Sequence, residues 1–193
     1  MTTSEESSSF LETKRYAVVT GANKGIGFEA CKQLASRGVT VVLTARDHKK
    51  GLEALERLRE DGLGDFVHFH QLDVADSESV AALADFVKSK FGKLDILVNN
   101  AAINGMVIDP EVMRARAAAV PKVDVTIFDG IASQTYPLAQ ECIDINFYGV
   151  KKMVQAFLPL LQSSDSPRIV NVSSGAGRLG VRNLTVHSII LSL

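Results

Sequence analysis

Thr20-Gly21-Ala22-Asn23-Lys24-Gly25-Ile26-Gly27 stands between the β-branched run Ala17-Val18-Val19 and a pattern with Ile26, Ala30 and Leu34 at helical spacing. That order reads as a strand, a glycine turn and a helix start, with Gly38 placed to cap the helix C-terminus. A helix N-terminus offers unpaired backbone N–H groups and about half a positive charge. Glycines there remove the Cβ atoms that would keep a pyrophosphate away. A bound dinucleotide accounts for the combination, with Gly21, Asn23, Lys24, Gly25, Ile26 and Gly27 as candidate contacts; a tight structural turn is the alternative.

Outward from this loop the pattern alternates. Val39 to Thr44 is an apolar, β-branched run suited to a strand covered on both faces, and Leu52, Leu55 and Leu58 mark the helix after it. Phe66 to Leu72 alternates with period two, and Val80, Leu83, Ala84 and Val87 share one face of a helix from about Asp76 to Phe91. Leu94 to Asn99 is a fourth strand, a helix is expected from about Leu138 to Leu161, and Arg168 to Ser173 is a fifth strand. Strand and helix in alternation with short connections predict an α/β fold: a Rossmann-type doubly wound parallel sheet in three α/β/α layers. Ligands of such sheets bind beyond the carboxyl ends of the strands. The rhythm lapses over an insertion at about 102–136, which contains Pro110 and Pro121. A stretch of that length is expected to carry its own helix or to serve as a lid or substrate wall.

Arg46 lies just past the second strand, where a dinucleotide's adenosine ribose would rest. An acidic side chain there would bond a 2'-hydroxyl, whereas a guanidinium suits a 2'-phosphate. Lys24 adds a second positive charge, so NADPH is expected over NADH, with Asp47 able to soften the preference.

The T-G-x-x-x-G-x-G spacing resembles the cofactor loop of the short-chain dehydrogenases and reductases. Asp73-Val74 resembles that family's adenine-contacting pair, and Asn99-Asn100-Ala101-Ala102 resembles its N-N-A-G segment with alanine for the last glycine. Ser173-Ser174-Gly175-Ala176-Gly177 is similar to the segment that carries the catalytic serine, Ser174 being the better fit. The resemblance implies that Asp73, Val74, Asn100 and Ala101 contact the cofactor, that Ser174 polarises a substrate carbonyl, and that Asn146 helps hold a water beside a catalytic lysine. It also implies the monomeric carbonyl-reductase branch, whose members reduce ketones of terpenoids and alkaloids with NADPH. A small-molecule carbonyl substrate and NADP(H) are therefore the expected ligands.

The family's proton donor, Tyr-x-x-x-Lys downstream of the serine, has no counterpart here: no tyrosine follows Tyr148. Tyr148 and Lys152 satisfy the spacing but precede Ser174 and share a helix with Asn146. If Asn146 faces the site, they point elsewhere, Tyr148 into packing and Lys152 into solvent. The sequence is thus expected to be a C-terminally truncated reductase without the last family strands and with impaired turnover. A non-catalytic NADP(H)-binding or regulatory protein and a nonfunctional splice fragment are the alternatives.

With 193 residues, 46% of them hydrophobic, the chain can bury one good core. The expected organisation is a disordered tail over 1–13, a cofactor-binding domain over 14–179 and a divergent tail over 180–193. A net charge of −1 with no basic patch argues against nucleic acid or a membrane surface as partner. Cys31 and Cys142 have no evident pairing, and Met1 to Thr13 lack a signal-peptide core, so a cytosolic protein is expected; the long insertion's resemblance to that of the carbonyl-reductase branch implies a monomer. His68 and His70 alternate with apolar residues without ligand-spaced partners, and no metal is expected.

Overall fold

The computed structural model describes residues 14–119 and 132–173. In chain order they form β1 (Tyr16–Val19), α1 (Gly25–Ala35), β2 (Thr40–Ala45), α2 (His48–Glu60), β3 (Val67–Gln71), α3 (Ser77–Phe91) and β4 (Ile96–Asn99). The insertion follows with β5 (Val107–Ile108), α4 (Pro110–Ala119) and β6 (Ala132–Ser133). A continuous helical run then comprises α5 (Tyr136–Ile143), a π-helical segment Asp144–Gly149 and α6 (Val150–Gln162), before β7 (Arg168–Asn171).

Alternation along the strands explains the layers. Val18 and Val42 point to one side of the sheet, and Ala17, Val19, Val41 and Leu43 to the other, all buried. The first side packs on Val80, Leu83 and Val87 of α3 and on Met153, Phe157 and Leu161 of α6. The second packs on Phe28, Cys31 and Ala35 of α1 and on Leu55 and Leu58 of α2. Burying a large apolar side chain fully contributes roughly 1.5–3 kcal/mol, so this double covering holds the sheet together.

The strand order is β3-β2-β1-β4-β7, every pair parallel. Connections from β1 run outward on one side to β2 and β3, and on the other side to β4 and β7. The direction reverses between β1 and β4, and a crevice opens at their carboxyl ends.

At the opposite ends of the strands, Asp95 fastens three of them. Its carboxylate accepts from Tyr16 N at 2.8 Å, from Lys93 Nζ at 3.2 Å and from Ser164 Oγ; its backbone N–H bonds Tyr16 O, and its carbonyl accepts from Arg168 N. Burial alone would raise the Asp95 pKa, but the bonds from Ser164, Tyr16 and Lys93 outweigh it and hold the group below the usual carboxylate range.

Several expectations need correction. The buried face of α1 is Gly27, Phe28, Cys31 and Ala35, one residue on from the predicted stripe, and Ile26 is 67% exposed. Gly27 lets α1 approach the loops after β1 and β4, where a Cβ would meet Asn100 Nδ2 and Gly21 O. Gly38 does close α1 as expected: at φ +79° its N–H donates to Ala35 O, and Val39 N–H donates to Leu34 O. Leu52 is exposed while Ala54 is buried in its stead. The insertion, as expected, carries its own helix, α4, and its two short strands, which have no sequence signal, pair antiparallel. The long helix begins at Tyr136, two residues before the expected start, with Pro137 in its first turn.

Candidate functional site

Thr20 anchors the glycine loop. Its buried hydroxyl oxygen accepts from the backbone N–H groups of Asn100 and Ala101, both at 2.9 Å. Asn100 returns the contact: its Nδ2 donates to Thr20 O at 2.8 Å and to Gly21 O at 3.1 Å. The loops after β1 and β4 are thereby one unit. Thr20 is a site residue that the motif alone does not mark. Its signal was the short hydroxyl at the strand end, where a polar side chain is buried only with partners.

The glycines of the loop do different work. A Cβ on Gly21, at φ +63°, would sit 2.8 Å from Ala101 Cα, and one on Gly27 would sit 2.4 Å from Asn100 Nδ2. Both positions are filled by protein. Gly25, at φ +60°, has nothing within 4 Å of where its Cβ would be. It begins α1, whose N-cap residue Lys24 makes no side-chain capping bond. The open space at Gly25 beside uncapped first-turn N–H groups is the shape and polarity a pyrophosphate requires.

Every predicted cofactor residue except Gly27 lines one cleft of about 470 Å³: Gly21, Asn23, Lys24, Gly25, Ile26, Arg46, Asp73, Val74, Asn100 and Ala101. Leu72, Ala102, Ile103 and Ile145 complete it. Leu72 and Ala102 border or belong to the quoted motifs, whereas Ile103 and Ile145 carry no sequence signal of a site. Gly27 lies beneath, against Asn100. Ile26, displaced from the core, presents its side chain to the cleft.

Asp73 is also a turn former: its Oδ1 accepts from Ala75 N at 2.9 Å and its backbone N–H donates to Ser79 Oγ at 3.0 Å. The turn holds Val74 inward, where a Cβ on Gly149 would come within 2.9 Å of it. Lys152 Nζ donates to Ala75 O. Lys152 is therefore not solvated as expected but tethers this loop to α6. Tyr148 is half exposed, with its ring edge-on to Phe147 at 5.1 Å.

Arg46 is 66% exposed at its side chain, with Nη1 3.9 Å from Glu141 Oε1. Asp47 is engaged elsewhere. It caps α2 by accepting from Lys50 N at 3.0 Å and pairs with Lys50 Nζ at 3.6 Å. The Lys50 N–H bond, ahead of its charge, holds the Asp47 pKa below the usual range. A second cleft of about 450 Å³, lined by Tyr136, Gln140, Glu141 and Asp144 of the α5 region, adjoins the first at Arg46, Asp73 and Ile145.

Asn146 sits in the π-helical segment and grips the peptide of Ile103 from both sides. Its Oδ1 accepts from Ile103 N at 2.9 Å, and its Nδ2 donates to Ile103 O at 2.8 Å. That places Asn146 at the wall formed by the loop after β4. Ser174 lies outside the described residues, as do the predicted tails over 1–13 and 180–193; Ser173 is exposed just past β7. Among the described residues no three His, Cys, Asp or Glu side chains converge as a metal site, and no helix is long and apolar enough to cross a membrane.

The family model described as short chain dehydrogenase matches residues 15–188. The chain belongs to the short-chain dehydrogenase family. A (+)-neomenthol dehydrogenase of Arabidopsis thaliana is 58% identical to it over 170 residues, covering 87% of this chain and 56% of the relative. The structure of salutaridine reductase from Papaver somniferum superposes with a TM-score of 0.77 at 51% identity, covering 86% of this chain and 59% of that one. A short chain dehydrogenase from Escherichia coli, crystallised with NADPH, superposes with a TM-score of 0.68 at 28% identity, covering 86% of this chain and 61% of that one. The chain thus spans little more than half the length of these relatives.

Proposed function

We propose that this chain binds NADP(H) in the cleft at the carboxyl ends of β1 to β4 and belongs to a reductase of ketones on terpenoid- or alkaloid-like small molecules. The observation that carries the cofactor reading is the open cradle at Gly25, flanked by the exposed cations of Lys24 and Arg46 and continuous with Asp73-Val74. The substrate class rests on the names of the relatives, a neomenthol dehydrogenase and a salutaridine reductase.

In this reading the first-turn N–H groups of α1 take the pyrophosphate, Arg46 and Lys24 take the 2'-phosphate, and Asp73 and Val74 border the adenine. When bound, the nicotinamide supplies a hydride to the carbonyl carbon. Asn100 holds the glycine loop and Asn146 holds the Ile103 wall, so both fix the geometry in which that transfer occurs. The Ser174 hydroxyl donates to the carbonyl oxygen as negative charge builds there. The alkoxide also needs a proton, and Tyr148 and Lys152, the only Tyr-x-x-x-Lys pair in the sequence, do not supply it: Lys152 is committed to Ala75 O. That contact favours a second reading for these 193 residues, cofactor binding without turnover.

Arg46→Ala is expected to weaken NADPH by about 10-fold or more, the value of a charge-assisted hydrogen bond, and to leave NADH nearly unchanged. Equal loss for both cofactors in parallel fluorescence titrations would sink the assignment of Arg46. Steady NADPH oxidation by the 193-residue chain with cyclic ketones, abolished by Ser174→Ala, would sink the reading without turnover.

A further inference from the structure

Arg46, the residue assigned to the 2'-phosphate, already has an anionic neighbour. Its exposed guanidinium faces Glu141 at 3.9 Å, across the rim from the loop after β2 to α5. The neighbouring carboxylate that the sequence offered as a modifier, Asp47, is held by the N-terminus of α2 and by Lys50. The next carboxylate along the helical run, Asp144 at the start of the π-helical segment, accepts from Gln140 Nε2 at 3.0 Å. Glu141 is thus the acidic side chain that shares Arg46, and it lines the second cleft at the point where that cleft meets the first.

We propose that Glu141 is a specificity-determining residue that opposes the 2'-phosphate and lowers the chain's preference for NADPH over NADH. The inference rests on the reading that Arg46 carries the 2'-phosphate. Two anionic groups, a carboxylate and a phosphate dianion, compete for one planar donor. NADH, with a neutral 2'-hydroxyl, meets no such competition. Both partners of the pair are at least half exposed, so the effect is modest and sensitive to salt.

The experiment is a titration of NADPH and NADH into the full 193-residue chain and its Glu141→Gln, Glu141→Asp and Arg46→Ala variants, at low salt and at about 0.3 M salt. Glu141→Gln is expected to bind NADPH about 3- to 5-fold more tightly at low salt, the scale of one unit charge a few ångströms away in water, with NADH unchanged. Glu141→Asp, which keeps the charge, stays near the parent, and the gain shrinks at high salt. If Arg46→Ala collapses the NADPH/NADH ratio while Glu141→Gln leaves it at the parent value, the inference alone is overturned. If Arg46→Ala also leaves the ratio unchanged, or the parent chain binds neither cofactor, the reading beneath it falls and the inference with it. A gain equal for both cofactors, or one indifferent to salt, overturns it as well.

Discussion

Gly21 and Gly25 both adopt positive φ within five residues of each other, yet their surroundings assign them to different tasks. At Gly21 a methyl would meet the Ala101 backbone, which cannot move without unpicking the Thr20 and Asn100 bonds. At Gly25 a methyl would enter open cleft. Each substitution to alanine carries the left-handed backbone cost of about 1–2 kcal/mol. Gly21→Ala adds a steric clash, so its melting temperature is expected to fall further than that of Gly25→Ala. Gly25→Ala, by filling the cradle, is expected to lose more NADPH affinity per unit of stability lost. Thermal melts and titrations of the two variants check this; equal melting temperatures with equal affinities would refute the division of labour. The motif as a string could not separate these roles, because both glycines look alike until Ala101 is brought beside one of them from far along the chain.

Between elements, the sheet is tied at its two ends by different chemistry. At the site end, Thr20 and Asn100 join the loops after β1 and β4; at the other end Asp95 joins β1, β4 and the start of β7. The folded-state pKa of Asp95 is depressed, so its contribution to stability is present above the unfolded carboxylate value of about 3.9 and is lost as pH falls through the folded value. Asp95→Asn is expected to cost about 1–3 kcal/mol at neutral pH and to flatten the acid limb below about pH 4, measured as denaturation midpoint against pH. An unchanged acid limb would remove Asp95 from that role. The strands and helices were legible because period-two and 3.6-residue patterns report burial directly. The π-helical segment was not: Asp144–Gly149 carries no periodic trace that sets it apart from the α-helix on either side, and the Lys152 bond to Ala75 O joins residues far apart in the chain. The phase of α1 is not legible either: Ile26 fits the apolar stripe, but the helix turns Gly27 and Phe28 inward.

For the molecule as a whole, the sheet supplies a rigid floor and the loops after its first four strands supply the cleft, so ligand and fold are linked. Binding at a hundred times Kd stabilises the folded state by about 2.7 kcal/mol, which for a chain of this size is about 5–10 °C in melting temperature. The position of the cofactor cleft was legible because four short motifs each follow a strand, and parallel strands bring their carboxyl ends together whatever the residues between. The reach of Glu141 to Arg46 was not, since it depends on where the insertion sets down α5. The most direct test of the account is a calorimetric titration of the 193-residue chain with NADPH and, in parallel, with NADH. One-site binding of NADPH at least about 10-fold tighter than NADH is predicted from the charges at Arg46 and Lys24. Equal affinities, or no heat with either cofactor from a chain that melts cooperatively, would contradict it.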